Sequence, residues 1–343
     1  MSRVPPEFIV THEHRRFAEF CDACRRYRYI GLCYGAAGVG KTLSAQHYAN
    51  WSRLQAYFRS SLLFETDFAA VAGSTTVFYT PAVVKAPGRI AQDIQGKRQQ
   101  LRAFAVDAWW REQEAQRQAR LQAEALRRPT KVEAPTRHHG NVVQIYESAV
   151  PPSAQNANGA APHREGIADP TDLIIIDEAD RLKTASLEQV RDIFDQSDLG
   201  VVLIGMPGLE KRLSRYPQRY SRVGFVHAFR SLSAGQVREL LHRKWAPAGV
   251  VLPEEGVTDE EARAAIIRVT GGNFRLLHRL LTQIARLLEI NALHTITRHV
   301  VEAARESLVI GIAYHRFPPH NVTKSPPLNV KSYKKASEIC IKL

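Results

Sequence analysis

The chain has 343 residues and a formal net charge of +13 at pH 7, with a sequence pI near 9.8. Hydrophobic residues make up 44% of it and charged residues 24%, which suits a globular protein with a sizeable core. The apolar runs are too short to cross a bilayer, and the charged first thirty residues do not resemble a secretory signal. We therefore predict a cytoplasmic protein with no membrane partner. Its positive charge favours a polyanionic partner, with nucleic acid first.

The first predicted elements are a helix over 11–28 and a short buried strand over 29–34. In the helix, Cys21 and Cys24 have the spacing of a metal site, but no second pair of cysteine or histidine residues follows at zinc spacing. Both cysteines share one apolar stripe with Phe17, so we predict that they pack in the core.

A glycine-bearing loop follows the strand and matches the pattern G-x-x-x-x-G-K-[ST]. Glycines let the backbone curl so that successive N–H groups point at phosphate oxygens, and the helix after the loop adds its positive end. Lys41 would reach the β- and γ-phosphates, and Thr42 would offer its hydroxyl to Mg²⁺. We predict an ATP–Mg²⁺ site formed by Gly35, Ala36, Ala37, Gly38, Val39, Gly40, Lys41, Thr42 and Leu43.

A helix over about 41–53 and a strand over 75–80 come next. Residues 88–128 are dense in Gln, Ala, Arg and Glu, which predicts a long exposed helix with the Trp109–Trp110 pair as its only large anchors. The stretch 129–170 is rich in Pro, Ala, Asn and Gly, and it lacks the apolar surface that would order it. We predict that it is a flexible insertion.

Order resumes at 173–176, a four-residue apolar strand that ends in the carboxylates Asp177 and Glu178. A buried strand of a parallel sheet delivers the side chains at its carboxyl end to the crevice where ligands bind. Asp177 suits the Mg²⁺ shell, and Glu178 suits the orientation and polarisation of an attacking water. The alternative is an ordinary strand end with solvated acids, which the upstream phosphate loop makes less attractive.

The remaining pattern contains a helix over about 186–196 and strands over 201–205 and 222–229. Strands alternate with helices, which predicts an α/β fold with a parallel five-stranded sheet sandwiched by helices. From 233 to about 307 the period is helical throughout and predicts a small domain of four helices. Beyond residue 311 the chain becomes basic and proline-bearing, which predicts a disordered tail.

The order of phosphate loop, apolar strand with two acids, further strand and helical domain resembles the AAA+ ATPases over roughly 5–310. This resemblance implies that Asp177 is the Walker B magnesium residue and Glu178 the catalytic glutamate. The strand 201–205 would be the sensor-1 strand. Met206 lies near the position where that family usually has a polar residue, so no sensor-1 residue is assigned.

On this model the sequence divides into five segments. They are the N-terminal helix and first half of the ATPase core (1–87), a helical then flexible insertion (88–170), the second half of the core (171–230), a helical lid (231–310) and a basic tail (311–343).

The resemblance also implies roles for two arginines. The segment Gly271-Gly-Asn-Phe-Arg275 is similar to the sensor-2 segment of the Orc/Cdc6-like and ExeA-like branch, so Arg275 would reach the γ-phosphate from the lid. Arg222 is expected to be the arginine finger that acts on a neighbouring subunit, with Arg219 next and Arg215 also in that cluster. The alternatives are a helix start with an exposed arginine and a basic surface face.

Within AAA+, the chain resembles the transposition ATPases TnsC, TniB and MuB. The resemblance rests on the N-terminal helix close before the phosphate loop and on the segments 173–180, 201–210, 215–225 and 271–275 together. That resemblance implies a homo-oligomer, as a ring or a helical filament, that binds duplex DNA without sequence preference in the ATP state and recruits a transposase. Two alternatives stay open: an ExeA-like ATPase that serves secretion or envelope assembly, and a nucleotide-gated scaffold with little turnover. The residues that contact DNA and the role of 88–170 are not assigned.

Overall fold

The computed structural model describes residues 8–60, 65–82, 87–127, 168–215, 221–242 and 259–308. Its strands are β1 (Ile30–Tyr34), β2 (Thr76–Tyr79), β3 (Leu173–Ile176), β4 (Gly200–Gly205) and β5 (Val223–Ala228). The helices before β3 are α1 (His12–Tyr27), α2 (Lys41–Tyr48), α3 (Trp51–Ser60), α4 (Glu65–Val71) and α5 (Pro87–Arg127). The helices after β3 are α6 (Thr184–Asp195), α7 (Leu209–Ser214), α8 (Ala234–His242), α9 (Glu260–Thr270), α10 (Phe274–Ile290) and α11 (Arg298–Glu306).

The described strands form one five-stranded sheet in the order β2-β3-β4-β1-β5, and all neighbouring pairs are parallel. Every residue of β2, β3 and β4 is buried, as expected for a parallel sheet that helices cover on both faces. The predicted parallel α/β fold is confirmed. Because parallel strands end at the same edge, the loop after β1 and the acids after β3 meet there, one strand apart.

Helix α1 packs across this sheet as its apolar stripe predicts. Thr11 caps it by accepting a hydrogen bond of 3.1 Å from the His14 N–H, and Arg28 ends it in a left-handed conformation. Phe17, Cys21 and Cys24 are fully buried in the main core, so the prediction that the cysteines pack there is confirmed.

The predicted helix over 41–53 is wrong in one respect, because two helices occupy that stretch. Asn50 has φ +49°, a left-handed conformation that cannot continue a right-handed helix. Asn adopts this region more readily than most residues, which makes it a suitable break. Helix α3 therefore begins anew at Trp51, whose side chain is buried in the core.

Helix α5 confirms the long helix predicted over 88–128, but the prediction of its anchors is wrong. Four fully buried side chains on one stripe hold its first half: Ile90, Ile94, Leu101 and Phe104. Trp110 is 38% exposed, and every residue over 110–124 is exposed, a section about 22 Å long. The helix is therefore embedded at one end and projects at the other.

Helices α8 to α11 enclose a second apolar cluster, distinct from the core of the sheet. Leu240, Ile266, Leu280 and Val301 represent the four helices in this cluster, which confirms the predicted helices of 233–307 for the part that is described. The division into five segments stays a prediction. The insertion over 129–167 and the tail over 311–343 lie outside the described residues. Among the described helices, none has the length and apolar character needed to cross a membrane.

The buried side chains in the first half of α5 should contribute strongly to the free energy of unfolding. Phe104 packs against Tyr57 and Phe68, with ring centroids 4.9 and 5.1 Å away. We expect Phe104→Ala to lower the free energy of unfolding by about 3–5 kcal/mol, measured by urea denaturation. The control is Trp110→Ala, which we expect to cost less than about 1.5 kcal/mol because its ring is partly exposed. Equal losses for both variants would contradict this assignment of the core.

Candidate nucleotide site

The loop between β1 and α2 has the backbone of a phosphate cradle. Gly38 and Gly40 have φ of +81° and +110°, conformations that side chains rarely tolerate. Gly35 lies against the chain that leaves β5, since a Cβ there would be 2.3 Å from the carbonyl oxygen of Phe229. The three glycines therefore allow the curl and the close approach that the motif requires. Helix α2 begins at Lys41, so its positive end faces the loop.

The side chain of Lys41 arches back over this loop. Its ammonium donates hydrogen bonds of 2.6 Å to the carbonyl oxygen of Gly35 and 2.8 Å to that of Ala36. Burial lowers the pKa of Lys41, while the nearby carboxylates of Asp177 and Asp180 oppose that shift. The ammonium is thus a partly desolvated cation facing the acids that follow β3.

Thr42 and Asp177 join the two motifs directly. The Thr42 hydroxyl donates a 2.7 Å hydrogen bond to Asp177 Oδ2, although the two residues are 135 positions apart in the chain. Asp177 is 3% exposed, and its Oδ1 accepts a 2.9 Å hydrogen bond from the Glu178 N–H. Burial raises the pKa of Asp177, and the hydrogen bond from Thr42 opposes the increase. A hydroxyl and a carboxylate oxygen at one point are the hard ligands that Mg²⁺ prefers.

Glu178 is held in a strained and specific position. It has φ +50°, which is uncommon for a residue with a side chain and is concentrated at functional sites. Its half-exposed carboxylate forms an ion pair with Arg181. Arg181 also donates a 3.0 Å hydrogen bond to the carbonyl oxygen of Pro81, just beyond β2. The loop after β2 therefore helps to fix the direction of the second acid.

At the end of β4 lies an acid that the sequence pattern did not predict as part of the site. The Met206 N–H donates a 2.7 Å hydrogen bond to Asp180 Oδ2, and the Met206 side chain is exposed. Gly205 leaves room for this contact, since a Cβ there would be 2.8 Å from the same oxygen. The only signal was a third acid two positions after Glu178. Asp180 thus supplies a polar group at the end of the strand where Met206 does not.

The predicted lid arginine also lies at the loop. The Arg275 N–H donates a 3.0 Å hydrogen bond to the carbonyl oxygen of Gly38, and the side-chain amide of Asn273 donates a 2.8 Å one to that of Ala37. The charge of Arg275 contributes to the lowered pKa of Lys41, after burial, so the two cations are electrostatic neighbours. The sequence pattern did not predict Asn273 as a site residue, because its partner Ala37 is 236 positions away in the chain.

Arg222 lies at the amino ends of the strands, opposite the carboxyl ends where the phosphate loop lies. Its backbone carbonyl accepts a 3.1 Å hydrogen bond from Ile30, at the beginning of β1, whereas the phosphate loop follows the end of β1. Its guanidinium donates hydrogen bonds of 2.6 and 2.8 Å to the carboxylate of Asp195. The structure therefore does not bring Arg222 to this chain's own site. Arg215 follows α7, and Arg219 lies outside the described residues, so the choice of finger stays a prediction.

Comparison with known proteins places the chain in a family. Residues 24–213, more than half of the chain, match the family model described as AAA domain. The chain belongs to the AAA domain family.

This AAA-domain protein is similar to several known proteins. It is 40% identical over 305 residues to a Staphylococcus aureus protein described as a potential ATP-binding protein, covering 89% of this chain and 97% of that one. Two solved structures resemble it at lower identity. The Thermotoga maritima RuvB Holliday junction branch migration motor is 16% identical, with 87% of this chain and 70% of that chain covered and a TM-score of 0.46. The Aeropyrum pernix ORC1 protein in complex with DNA is 17% identical, with 87% and 65% covered and a TM-score of 0.45.

A ring cluster holds α2 of the AAA domain against the beginning of α1. The ring of Phe8 stacks on His47 at 3.8 Å, and the ring of His14 meets His47 edge-on at 4.9 Å. His14 is buried, and its Nδ1 has no hydrogen-bond partner in the part of the chain that the structure describes. Burial, aided by the charge of His47, lowers the pKa of His14 to about 4. The folded protein therefore holds this imidazole neutral.

The cluster predicts a defined loss of stability in acid. The folded pKa of His14 is below its unfolded value of about 6.5, so the unfolded chain binds the proton more tightly and stability falls as pH drops from about 6.5 to 4. We expect His14→Phe to remove roughly 2 kcal/mol of that loss between pH 7 and pH 4.5, at about 1.4 kcal/mol per pKa unit, because pH 4.5 does not reach the folded pKa of about 4. Urea denaturation at pH 7 and pH 4.5 measures it. His12→Asn, at an exposed position of the same helix, should leave the pH dependence of the parent unchanged.

Proposed function

We propose that this protein binds ATP with Mg²⁺ at residues 35–43 and hydrolyses it. The observation that carries the proposal is the 2.7 Å hydrogen bond between Thr42 and Asp177, because it joins the phosphate loop to the acids after β3. Mg²⁺, when bound, would neutralise charge on the β- and γ-phosphate oxygens. Thr42 and Asp177 would hold it, and Lys41 would bind the same phosphates.

The remaining roles follow from the positions of the charged side chains. Glu178, next to Asp177 and held by Arg181, would orient and polarise the attacking water. Arg275 would bind the γ-phosphate from the lid, since its backbone already contacts Gly38. We propose Arg222 as the finger for a neighbouring subunit, where its guanidinium would stabilise charge on the transferred phosphoryl group.

Two variants test the ATPase. We expect Lys41→Ala to weaken ATP binding at least tenfold, because it removes the cation that meets the β- and γ-phosphates. We expect Glu178→Gln to bind ATP normally and to lower kcat about 10²–10⁴-fold, the range for loss of a general base. Fluorescent-nucleotide titration and phosphate release measure the two effects. Lys211→Ala, an exposed lysine on α7, is the control and should match the parent. ATP binding by Lys41→Ala as tight as by the parent would refute the site.

We further propose that the protein is a transposition regulator that binds duplex DNA in the ATP state and recruits a transposase. The resemblance to TnsC, TniB and MuB supports this role, and so does the location of the positive charge. Residues 171–230 hold nine Lys and Arg against nine Asp and Glu, so that half of the core is neutral. Helix α5 holds eight Lys and Arg against five Asp and Glu, and residues 309–343 hold six basic residues against one acidic residue. The excess positive charge thus lies entirely outside that half, where it would be available to DNA phosphates.

Binding to DNA should depend on nucleotide and on salt. We expect ATP-bound protein to assemble on duplex DNA and ADP-bound protein to release it. With six to ten phosphate contacts, affinity would fall about 10³–10⁵-fold between 50 and 200 mM salt. Glu178→Gln should lengthen the lifetime of the assemblies, measured by electron microscopy and fluorescence anisotropy. Absence of DNA binding at low salt with ATP present would refute this role while leaving the ATPase intact.

One observation favours a second candidate function, a nucleotide-gated scaffold with little turnover. The exposed Met206 side chain occupies the position where AAA+ proteins usually have a polar residue, and Asp180 meets only its backbone N–H. The kcat separates the two functions. The same steady-state rate for the parent and Glu178→Gln, with ATP binding intact in both, would favour the scaffold.

A further inference from the structure

The lid helix α10 begins directly on the phosphate loop. The side-chain amide of Asn273 donates a 2.8 Å hydrogen bond to the carbonyl oxygen of Ala37, and the N–H of Arg275 donates a 3.0 Å one to that of Gly38. Two consecutive carbonyls of the loop are therefore held from the lid side. The first partner is 236 positions away in the chain, so this is a tertiary contact.

These bonds constrain the loop N–H groups because the peptide unit is rigid. In a planar trans peptide the C=O and the following N–H point in opposite directions. When the lid holds the carbonyl of Ala37, the N–H of Gly38 points away from the lid. The carbonyl of Gly38 fixes the N–H of Val39 in the same way. Both N–H groups belong to the cradle that the motif predicts for phosphate oxygens.

Asn273 is the one residue of this contact whose side chain serves both partners. Its Oδ1 accepts hydrogen bonds of 3.1 and 3.3 Å from the N–H groups of Arg275 and Leu276, which caps α10, while its Nδ2 donates to the loop. Asp and Ser cap helices as well as Asn does. An ionised Asp has no hydrogen to donate, and a Ser hydroxyl is too short to reach both partners. Capping alone does not explain why the residue is Asn.

The atoms between the phosphate loop and the start of α10 are closely packed. A Cβ on Gly38 would lie 2.7 Å from Asn273 Oδ1 and 2.8 Å from the Cβ of Arg275. On the lid side, the carbonyl of Gly272 accepts a 3.0 Å hydrogen bond from Leu232, and a Cβ on Gly272 would lie 1.9 Å from the carbonyl oxygen of Leu232. The turn before α10 is therefore fixed between the loop and the entry to the lid, and a shift of one moves the other.

We propose that Asn273 is a positioning residue that couples the phosphate loop to the lid by fixing the Ala37–Gly38 peptide. Nucleotide phosphates would bind the N–H side of that peptide and Asn273 its carbonyl side, so phosphate binding and the attachment of α10 support each other. The proposal rests on ATP binding at 35–43. It assigns a role to the amide of Asn273 that is separate from the role of Arg275.

Variants that keep the cap and lose the donor test this role. Asn273→Ser and Asn273→Asp preserve the cap and lose only the bond to Ala37, so we expect their melting temperatures without nucleotide to lie between those of the parent and Asn273→Ala. Loss of one hydrogen bond should weaken binding of ADP and of a non-hydrolysable ATP analogue about 3- to 10-fold. Asn273→Asp should show the larger loss, because a carboxylate would face the carbonyl oxygen of Ala37. Asn273→Ala, which loses the cap as well, is the reference for a purely structural effect.

A second readout follows the lid itself. In the parent, nucleotide should slow amide hydrogen exchange in α10; in Asn273→Ser and Asn273→Asp the slowing should be lost even when nucleotide saturates the site. A purely capping residue would leave this response intact in both variants and disturb it only in Asn273→Ala, which would overturn the proposal. Unchanged nucleotide affinity in both cap-preserving variants, whatever their melting temperatures without nucleotide, would also overturn it.

The controls separate this proposal from the proposed ATPase. If the parent and Lys41→Ala fail alike to bind nucleotide, the site itself is refuted. If Lys41→Ala loses binding while Asn273→Ser binds nucleotide and protects α10 as the parent does, only the coupling role of Asn273 fails.

Discussion

The 2.7 Å hydrogen bond from Thr42 to Asp177 is the contact that joins the phosphate loop to the acids after β3, and the rest of the candidate site is arranged around it. It exists because β1 and β3 flank β4 in a parallel sheet, so the chain segments that follow their carboxyl ends meet at one edge. The same sheet order brings Met206 and Asp180 together at the end of β4, between those segments. A different strand order would leave the same motifs in the sequence without joining them.

At the carboxyl ends of the strands, burial makes the charged forms of Lys41 and Asp177 unfavourable in the absence of a ligand. Burial lowers the pKa of Lys41 and raises that of Asp177, so it disfavours the charged form of each. Their mutual attraction compensates in part, as does the hydrogen bond from Thr42. A site with a desolvated cation and a desolvated anion side by side suits a ligand that carries both charges, as a phosphate–metal complex does. Selection for stability alone would not favour two partly desolvated charged side chains at this position.

The sequence predicted the features that depend on local pattern. The apolar runs located every described strand to within one residue at each end, and the glycine motif located the phosphate loop. The break at Asn50 was missed because a left-handed residue leaves the helical period of its neighbours almost unchanged. The buried stripe of α5 was missed because Ile90 and Phe104 are diluted by Gln and Arg. Asp180 and Asn273 could not be predicted, since their roles arise from partners 26 and 236 positions away.

The two halves of α5 have different reasons for being helical. An isolated helix of about 15 residues is marginal in water, so the exposed section over 110–124 keeps its form as the continuation of a half that is anchored in the core. A molecule that binds the tip would therefore act on a helical extension of the core. The anchored half also meets β2, where the Tyr79 hydroxyl donates a 3.1 Å hydrogen bond to Asp93 of α5. Beyond β2, the carbonyl oxygen of Pro81 accepts a 3.0 Å hydrogen bond from Arg181, the ion-pair partner of Glu178. The projecting helix and Glu178 are thus joined by one continuous chain of contacts through β2 and Arg181.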